Sequence, residues 1–295
     1  MKTLLGISRV PFLLLTPACV LLGLGTAAWE TGHAVNWLYF VLALLGALSA
    51  HISVNAFNEY FDFRSGLDAR TRRTPFSGGS GTLPANPAEA RKALIWAWTT
   101  LLFTAAIGVY FLAVRGWWLL PVGVVGVALL YVYTVWITKS PLASLIAPGL
   151  GFGTLMVLGT HYVLTGHYSW AAFWASLTPF FLVNDLLLLN QFPDVEADRS
   201  VGRKNYPIVL GRPKAARLYV AFLALAYLSL VVAVALGFLP AWGLLGLLTL
   251  VLAVPTAQKA LRHADDLPAL MPALGNNVLI NLLTPVLMAI GLWVA

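Results

Sequence analysis

The chain is organised around Asn190-Gln-Phe-Pro-Asp194-Val-Glu-Ala-Asp198, the polar stretch that closes the apolar run 170–192. Its Asn and two Asp residues are spaced four apart, so on a helix they would lie along one face. Two carboxylates and an amide oxygen at this spacing form an oxygen-rich edge suited to Mg²⁺. A charged edge at the end of a membrane-length run is costly unless a cation or water compensates it. The residues alone fit equally well an ordinary polar helix end capped by water.

A second stretch repeats this pattern. Asn55, Asn58, Glu59 and Asp62 close the apolar run 34–57. The two Asn residues and Asp62 follow i,i+3 and i,i+4 spacing, which places them on one helical face with Glu59 to one side. Both stretches are followed by arginines. The pairing predicts two halves of a single site.

The composition is that of a membrane protein. Of 295 residues, 60% are hydrophobic and only 10% are charged, and the mean hydropathy is +0.83, whereas a soluble domain is about a quarter charged. Cys19 is the only cysteine, so a disulfide framework is excluded. The net charge of +7 fits membrane orientation and an anionic substrate better than a nucleic-acid partner.

Apolar runs of about 20 residues, the length that a bilayer core requires, recur along the chain. The first is too long for the apolar core of a signal peptide, so we interpret it as a retained span. The sequence predicts an all-α, polytopic bundle of about nine transmembrane helices in a single domain, 1–295. The runs are 11–29, 34–57, 92–114, 117–137, 141–164, 170–192, 215–237, 239–258 and 270–294.

The distribution of lysine and arginine predicts the orientation. With nine spans and a cytoplasmic N-terminus, 17 of the 18 basic residues fall on the cytoplasmic side, and only Arg115 falls outside. This asymmetry predicts an integral protein of the cytoplasmic membrane. It also places both acidic motifs, and therefore the active site, at the cytoplasmic face.

The paired motifs resemble those of the UbiA superfamily of intramembrane prenyltransferases, which follow the second and sixth transmembrane helices. Asn58-Glu59-x-x-Asp62 with Gly66 and Asp68 is similar to the first family motif, and Asn190-Gln-x-x-Asp194-x-x-x-Asp198 to the second. The menaquinone-type branch is the most similar. Three positions depart from its usual residues: Glu59 replaces Asp, Gln191 replaces Asn, and Pro193 replaces Arg.

The resemblance implies a diphosphate clamp that uses Mg²⁺, with two ions expected. The metal-binding candidates that it implies are Asn58, Glu59, Asp62, Asn190, Asp194 and Asp198. Of these, Asp62, Asp194 and Asp198 are expected to be catalytic. Glu59 and Asp68 are open to three interpretations: direct metal binding, binding through water, or holding an arginine.

Basic residues near the motifs are candidate diphosphate contacts, and orientation of the chain in the membrane is an equally good explanation for each one. These candidates are Arg70, Arg72, Arg73, Lys139, Arg203 and Lys204. Asn55 and Tyr131 are possible contacts to the acceptor or to an allylic cation, although interfacial tyrosines are more often membrane anchors. The loop Ser77–Gly81 is either a flexible connector or a lid whose backbone N–H groups bind phosphate.

Two further polar side chains lie within apolar runs. Asp185 falls roughly opposite Asp194 on an ideal helix, so we predict an interhelical hydrogen bond to Asn276, Asn277 or Asn281 rather than a metal role. His51 is either a contact to the acceptor or a buried imidazole with its hydrogen bonds satisfied, and the second is favoured.

The predicted function is transfer of a prenyl group from a polyprenyl diphosphate to an aromatic quinone precursor within the membrane. A glycerol-phosphate lipid is the alternative acceptor. A cation-coupled transporter is the alternative from another class, but its site would be expected near the midplane rather than at one face. The prenyl chain length and the oligomeric state are left open.

Overall fold

Within residues 2–295, which the computed structural model describes, nine helices are long and apolar enough to cross a membrane, and no strand occurs. This confirms the predicted all-α bundle and its number of spans. The helices are α1 Val10–Thr31, α2 Trp37–Ser65, α3 Pro87–Arg115, α4 Trp117–Val135, α5 Pro141–Thr165, α6 Trp170–Asn190, α7 Arg212–Ala235, α8 Ala241–Arg262 and α9 Leu267–Val294.

Successive spans cross in opposite directions, so the even-numbered helices end where the odd-numbered ones begin. The first acidic motif forms the last turns of α2, and the second begins at the last residue of α6. Both therefore lie at one end of the bundle, which we call the motif end. Short helices in the loops cover this end: Lys2–Ile7, Thr82–Ala85, Val195–Ser200 and Tyr206–Leu210. The cytoplasmic placement of the motif end stays a prediction from the basic residues.

The core of the bundle lies around α6, α7 and α9. Leu182 and Leu189 of α6 are fully buried and belong to the same apolar cluster as Tyr219 of α7 and Leu270 of α9. By contrast, only Leu119 and Thr134 of α4 are buried. It is the outer wall of the cavity described below rather than part of the core.

A π-helical segment, Gly149–Leu155, interrupts α5 directly after Pro148. Here α5 packs closely against α6, and a Cβ atom added at Gly149 would collide with the carbonyl oxygen of Phe180. The side-chain oxygen of Asn184 accepts a hydrogen bond from the Gly149 amide at 2.6 Å. Glycine therefore permits a close approach, and α6 supplies a second acceptor to an amide that also donates to the Ile146 carbonyl.

The two motifs differ in backbone structure. The α2 helix continues past the predicted run to Ser65 and ends at Gly66 in a left-handed conformation, with φ of 76°. The second motif does not form the continuous helix that its spacing predicts, because α6 ends at Asn190 and a new short helix begins after Asp194. Pro193 lies in the intervening turn, where its lack of an N–H and its ring prevent helix continuation.

Candidate active site

A cavity of about 1200 Å³ lies between α1, α2, α3, α4 and α5, with α6 and α9 completing its wall. Its motif end is polar, and the rest is almost entirely apolar. The structure therefore brings both motifs to one cavity, as the pairing predicts. The charged and amide side chains that line the motif end are Arg9, Asn55, Asn58, Asp62, Asp68, Asn190, Gln191, Asp194, Asp198, Arg203 and Asn205.

Arg203 links the two motifs. It donates a hydrogen bond to Asp62 of the first motif and another, at 3.0 Å, to Asp198 of the second. Asn205 donates to the other oxygen of Asp198 at 2.9 Å. Asp62, Asp198 and Asn205 are all buried. The predicted diphosphate contact Arg203 is thus the one cation of that predicted set that lines the cavity.

Glu59 does not line the cavity. Its fully buried carboxylate accepts hydrogen bonds from Arg9 Nε at 2.6 Å and from the amide and hydroxyl of Ser80, both at 2.7 Å. Arg9 also donates to the Asn58 side-chain oxygen at 2.8 Å. Of the three interpretations for Glu59, the structure matches the one in which it holds an arginine. The hydrogen bonds from Ser80 also attach the loop Ser77–Gly81, which we call the Gly/Ser loop, to α2.

Three oxygens at the motif end are buried without a hydrogen-bond partner: Asp68 Oδ2, Asn190 Oδ1 and Asp194 Oδ1. Leaving such groups unsatisfied costs about 1–3 kcal/mol each. They are carboxylate and amide oxygens from both motifs, the donor type that Mg²⁺ prefers. The residues present therefore fit the divalent cation that the sequence predicts.

The electrostatics at the motif end indicate the same need for positive charge. Burial and the nearby carboxylates of the first motif raise the pKa of Asp68 to about 7. Burial and the neighbouring Asp198 raise the pKa of Asp194 to about 7. Burial also raises the pKa of Asp198, although Arg203 opposes it. A raised carboxyl pKa means that the charged form is disfavoured, and a bound dication reverses this effect.

The Gly/Ser loop is folded over the site. Residues 74–80 line the cavity, and a Cβ atom added at Gly79 would lie 2.9 Å from Asp68 Oδ1. Gly79 also has φ of 70°, which favours glycine. Glycine therefore lets the backbone approach the carboxylate. The loop lies against the site, and phosphate binding by its N–H groups stays a prediction.

The other predicted cations and the predicted tyrosine lie outside the cavity. Arg70 donates to Ser200, and Tyr131 packs against Phe57 on the outer surface. The basic residues in this set are exposed: Arg70, Arg72, Arg73, Lys139 and Lys204. Tyr133, two residues further along α4, lines the cavity instead.

Sequence reasoning missed Arg9 and Asn205 as site residues. Arg9 directly precedes α1 in a left-handed backbone conformation, with φ of 49°, and its side chain reaches Glu59 and Asn58 of the first motif. From the sequence alone, an arginine at this position indicates only orientation in the membrane. The signal available for Asn205 is its position seven residues after Asp198 in the same polar loop.

The two intramembrane polar predictions are resolved by the helix packing. Asn277 of α9 donates to the main-chain carbonyl of Asp185 at 3.4 Å, so the predicted interhelical bond exists but does not involve the carboxylate. Asp185 does not line the cavity. His51 is buried and its Nδ1 lies 2.8 Å from the Thr16 hydroxyl, as predicted. It also lines the cavity, so a contact to the acceptor stays open.

The apolar part of the cavity is a tunnel along α4. Its lining runs from Tyr133 near the motif end to Leu119 near the far end, about 21 Å at 1.5 Å per residue. Gly108 and Gly123 line its distant half, with no atom within 4 Å of an added Cβ. No tryptophan in residues 2–295 lines it, and its aromatic lining consists of Phe12, Phe76, Phe111, Tyr133 and Phe152.

The sequence matches a known protein family over nearly its whole length. The model of the UbiA prenyltransferase family matches residues 16–293. The chain belongs to this family. It is a membrane prenyltransferase, and the transporter alternative is set aside.

Several known proteins are similar to this chain over nearly its whole length. It is 29% identical over 287 residues to the 1,4-dihydroxy-2-naphthoate octaprenyltransferase of Bacillus subtilis strain 168, covering 95% of this chain and 89% of that protein. A UbiA homolog from Aeropyrum pernix K1 has the same fold, with a TM-score of 0.73, 18% identity, and coverage of 97% and 98%. A homolog from Archaeoglobus fulgidus, solved with DMAPP and Mg²⁺, gives a TM-score of 0.70, 16% identity and 99% coverage of both chains.

Proposed function

We propose that this protein transfers a polyprenyl group from a polyprenyl diphosphate to 1,4-dihydroxy-2-naphthoate or a closely related aromatic acid. The reaction would depend on Mg²⁺ and release diphosphate. One observation carries the proposal: a long apolar tunnel ends at three buried, unpartnered oxygens, on Asp68, Asn190 and Asp194. An amphiphile with a hydrocarbon tail and an anionic head that binds through metal matches both parts.

The donor would lie with its tail in the tunnel and its diphosphate at the motif end. Burial of the chain is favourable at roughly 25 cal/mol per Å² of apolar surface. The diphosphate would lie beside Arg9 and Arg203, the two arginines that line the cavity. Both are held by carboxylates, on Glu59 and on Asp62 with Asp198 respectively, so their positions are fixed before the substrate binds.

The metal candidates are Asp68, Asn190 and Asp194, together with Asn58, Asp62 and Asp198, which line the same part of the cavity. When bound, Mg²⁺ supplies positive charge that stabilises the departing diphosphate. The two cavity arginines add to this charge from fixed positions, which is the form of electrostatic stabilisation that lowers barriers most.

In the proposed step the allylic C–O bond breaks and its electron pair leaves with diphosphate. The apolar tunnel excludes the water that would otherwise trap the allylic cation. Tyr133, near the motif end of α4, lines the cavity and would stabilise the cation through its ring face. A ring carbon of the acceptor then forms the new C–C bond, and the ring loses a proton, for which Asp62 is the predicted acceptor.

The aromatic acceptor is favoured by likeness to relatives. The Bacillus subtilis relative is named for a naphthoate acceptor and aligns with 95% of the chain at 29% identity. The departures at Glu59, Gln191 and Pro193 do not remove a cavity-lining carboxylate. Glu59 binds Arg9, while Gln191 donates to Ser144 at 3.3 Å.

The acceptor is tested by direct competition. Purified protein in detergent receives a long-chain prenyl diphosphate, Mg²⁺ and equal amounts of dihydroxynaphthoate, hydroxybenzoate and a glycerol-phosphate lipid, and the products are identified by mass spectrometry. We expect prenylated naphthoate as the main product. Prenylation of the glycerol lipid alone would overturn the aromatic acceptor while leaving prenyl transfer intact.

A further inference from the structure

A second cluster of ligand-type side chains lies at the end of the bundle opposite the motif end. Glu30 is at the end of α1, His161 is in the last turn of α5, and His167 is in the turn between α5 and α6. One ligand atom from each of the three side chains lies within 4.8 Å of the others. None of the three lines the prenyl tunnel, so the cluster is separate from the proposed reaction.

Each of the two histidines approaches a different oxygen of the Glu30 carboxylate. Glu30 Oε2 lies 3.5 Å from His161 Nε2, and Glu30 Oε1 is hydrogen-bonded to His167 Nε2. Around a tetrahedral Zn²⁺ with bonds of about 2.0–2.1 Å, neighbouring ligand atoms lie roughly 3.3 Å apart. The observed separations therefore need only small side-chain movements to admit an ion.

The tautomer of His161 is fixed by its other nitrogen. The Thr26 hydroxyl donates its hydrogen to the Gly23 carbonyl at 2.9 Å, so it accepts from His161 Nδ1, 3.0 Å away. The proton of the neutral ring is then on Nδ1, and Nε2 presents a lone pair. This is how a ligating histidine is normally oriented by a second partner.

That lone pair has no hydrogen-bond partner. The His161 side chain is fully buried, and its Nε2 makes no hydrogen bond, although it faces the Glu30 carboxylate. A lone pair facing a carboxylate is repulsive unless a cation lies between them. Glu30 and His167 are 28% and 58% exposed, so an ion can reach the site from solvent.

The turn that carries His167 is held in place. The Thr165 hydroxyl donates to the His161 carbonyl at 2.9 Å and accepts from the His167 amide at 3.4 Å. Arg115 closes the adjacent end of α5 by donating to the Val163 and Leu164 carbonyls, at 2.7 and 2.8 Å. The ligand set is thus presented by a structured connection rather than by a free loop.

We propose that Glu30, His161 and His167 bind one divalent transition-metal ion, with Zn²⁺ as the best chemical match. Two imidazoles and one carboxylate form a common three-residue zinc set, which leaves a fourth position for water. Imidazole ligands select against Mg²⁺, which prefers oxygen. The ion connects α1 to the α5–α6 turn and stabilises the end of the bundle farthest from the reaction.

The test uses the full chain, purified in detergent with an affinity tag that lacks histidine, stripped with EDTA and titrated with Zn²⁺ by calorimetry. Co²⁺ titration, read by visible absorption, reports the coordination geometry. Two variants carry the test: His167→Asn, whose side chain is more than half exposed, and Glu30→Gln. The matched control is His33→Asn, an exposed histidine at the same end that bonds to the Trp293 carbonyl.

In the wild type and in His33→Asn we expect a Zn²⁺ site separate from any Zn²⁺ bound by the motif-end carboxylates, with affinity at least about tenfold weaker in the two cluster variants. The doubly substituted Asp194→Asn, Asp198→Asn protein should retain this binding, because its substitutions affect only the motif end. Equal affinity in wild type and His167→Asn would overturn the proposal. So would absence of binding in wild type, or loss of binding in the motif-end variant.

Discussion

Arg203, in the loop after α6, donates a hydrogen bond to Asp62 near the end of α2, across 141 residues of sequence. Its other terminal nitrogen donates to Asp198 at 3.0 Å. One guanidinium therefore joins the two acidic motifs and neutralises part of their charge. The planar, forked geometry of arginine suits such a bridge, which an ammonium group reproduces poorly.

The first prediction concerns this bridge. Arg203→Gln should lower prenyl-transfer turnover on the order of 10²-fold or more, because it removes a fixed positive charge from the diphosphate site and leaves two buried carboxylates unpaired. Arg203→Lys should recover only part of the activity. Arg72→Gln is the matched control, since Arg72 is exposed and lies outside the cavity. Equal loss in both glutamine variants would contradict a specific role for Arg203.

The second prediction concerns metal binding. Asp194→Asn removes a charge while nearly preserving shape, and should lower turnover on the order of 10²-fold. Asp185→Asn is the control on α6: it is also a buried Asp-to-Asn change, but it lies outside the cavity and should mainly alter folding yield. Turnover is measured over a Mg²⁺ titration. Full activity of Asp194→Asn at limiting Mg²⁺ would argue against Asp194 as a ligand.

The third prediction concerns the Gly/Ser loop. Glu59→Gln breaks a largely buried ion pair with Arg9 and weakens the contacts to Ser80, which should destabilise the protein by about 3 kcal/mol. Hydrogen exchange should accelerate over residues 77–81, and thermal unfolding should occur at a lower temperature. The control is Glu89→Gln, which removes only the exposed pair with Lys92 and should have little effect. Unchanged exchange in the loop would show that Glu59 does not fasten it.

The fourth prediction concerns donor length. Gly123→Leu fills open space in the distant half of the tunnel, and should shift preference toward shorter prenyl diphosphates, seen as a rise in KM for long donors. Val125→Leu adds bulk to the same helix on its exposed outer face and should change nothing. An identical donor preference in the two variants would place the prenyl tail elsewhere.

The sequence predicted the bundle and the convergence of the motifs because both depend on strong, repetitive signals. Membrane-length apolar runs mark the spans, and an even number of spans between two motifs puts them at the same end. Four-residue spacing grouped Asn190, Asp194 and Asp198 correctly even though Pro193 breaks the helix between them. The three side chains still line one cavity.

The remaining features depend on tertiary contacts that leave little trace in one sequence. Arg9 reaches the site through a left-handed turn before α1, and an isolated arginine near a span is ordinarily an orientation signal. The choice between Tyr131 and Tyr133 depends on how α4 is rotated about its axis. A single residue turns a helical side chain by about 100°, and nothing in the apolar sequence of α4 fixes that rotation.

The most direct test of the account is the stoichiometry of the reaction. Purified protein receives a long-chain prenyl diphosphate and dihydroxynaphthoate, with Mg²⁺ or with EDTA, and released diphosphate and prenylated naphthoate are measured together. We expect one diphosphate per prenylated product with Mg²⁺, and neither product with EDTA. Equal product formation in EDTA, or diphosphate release without any prenylated naphthoate, would contradict it.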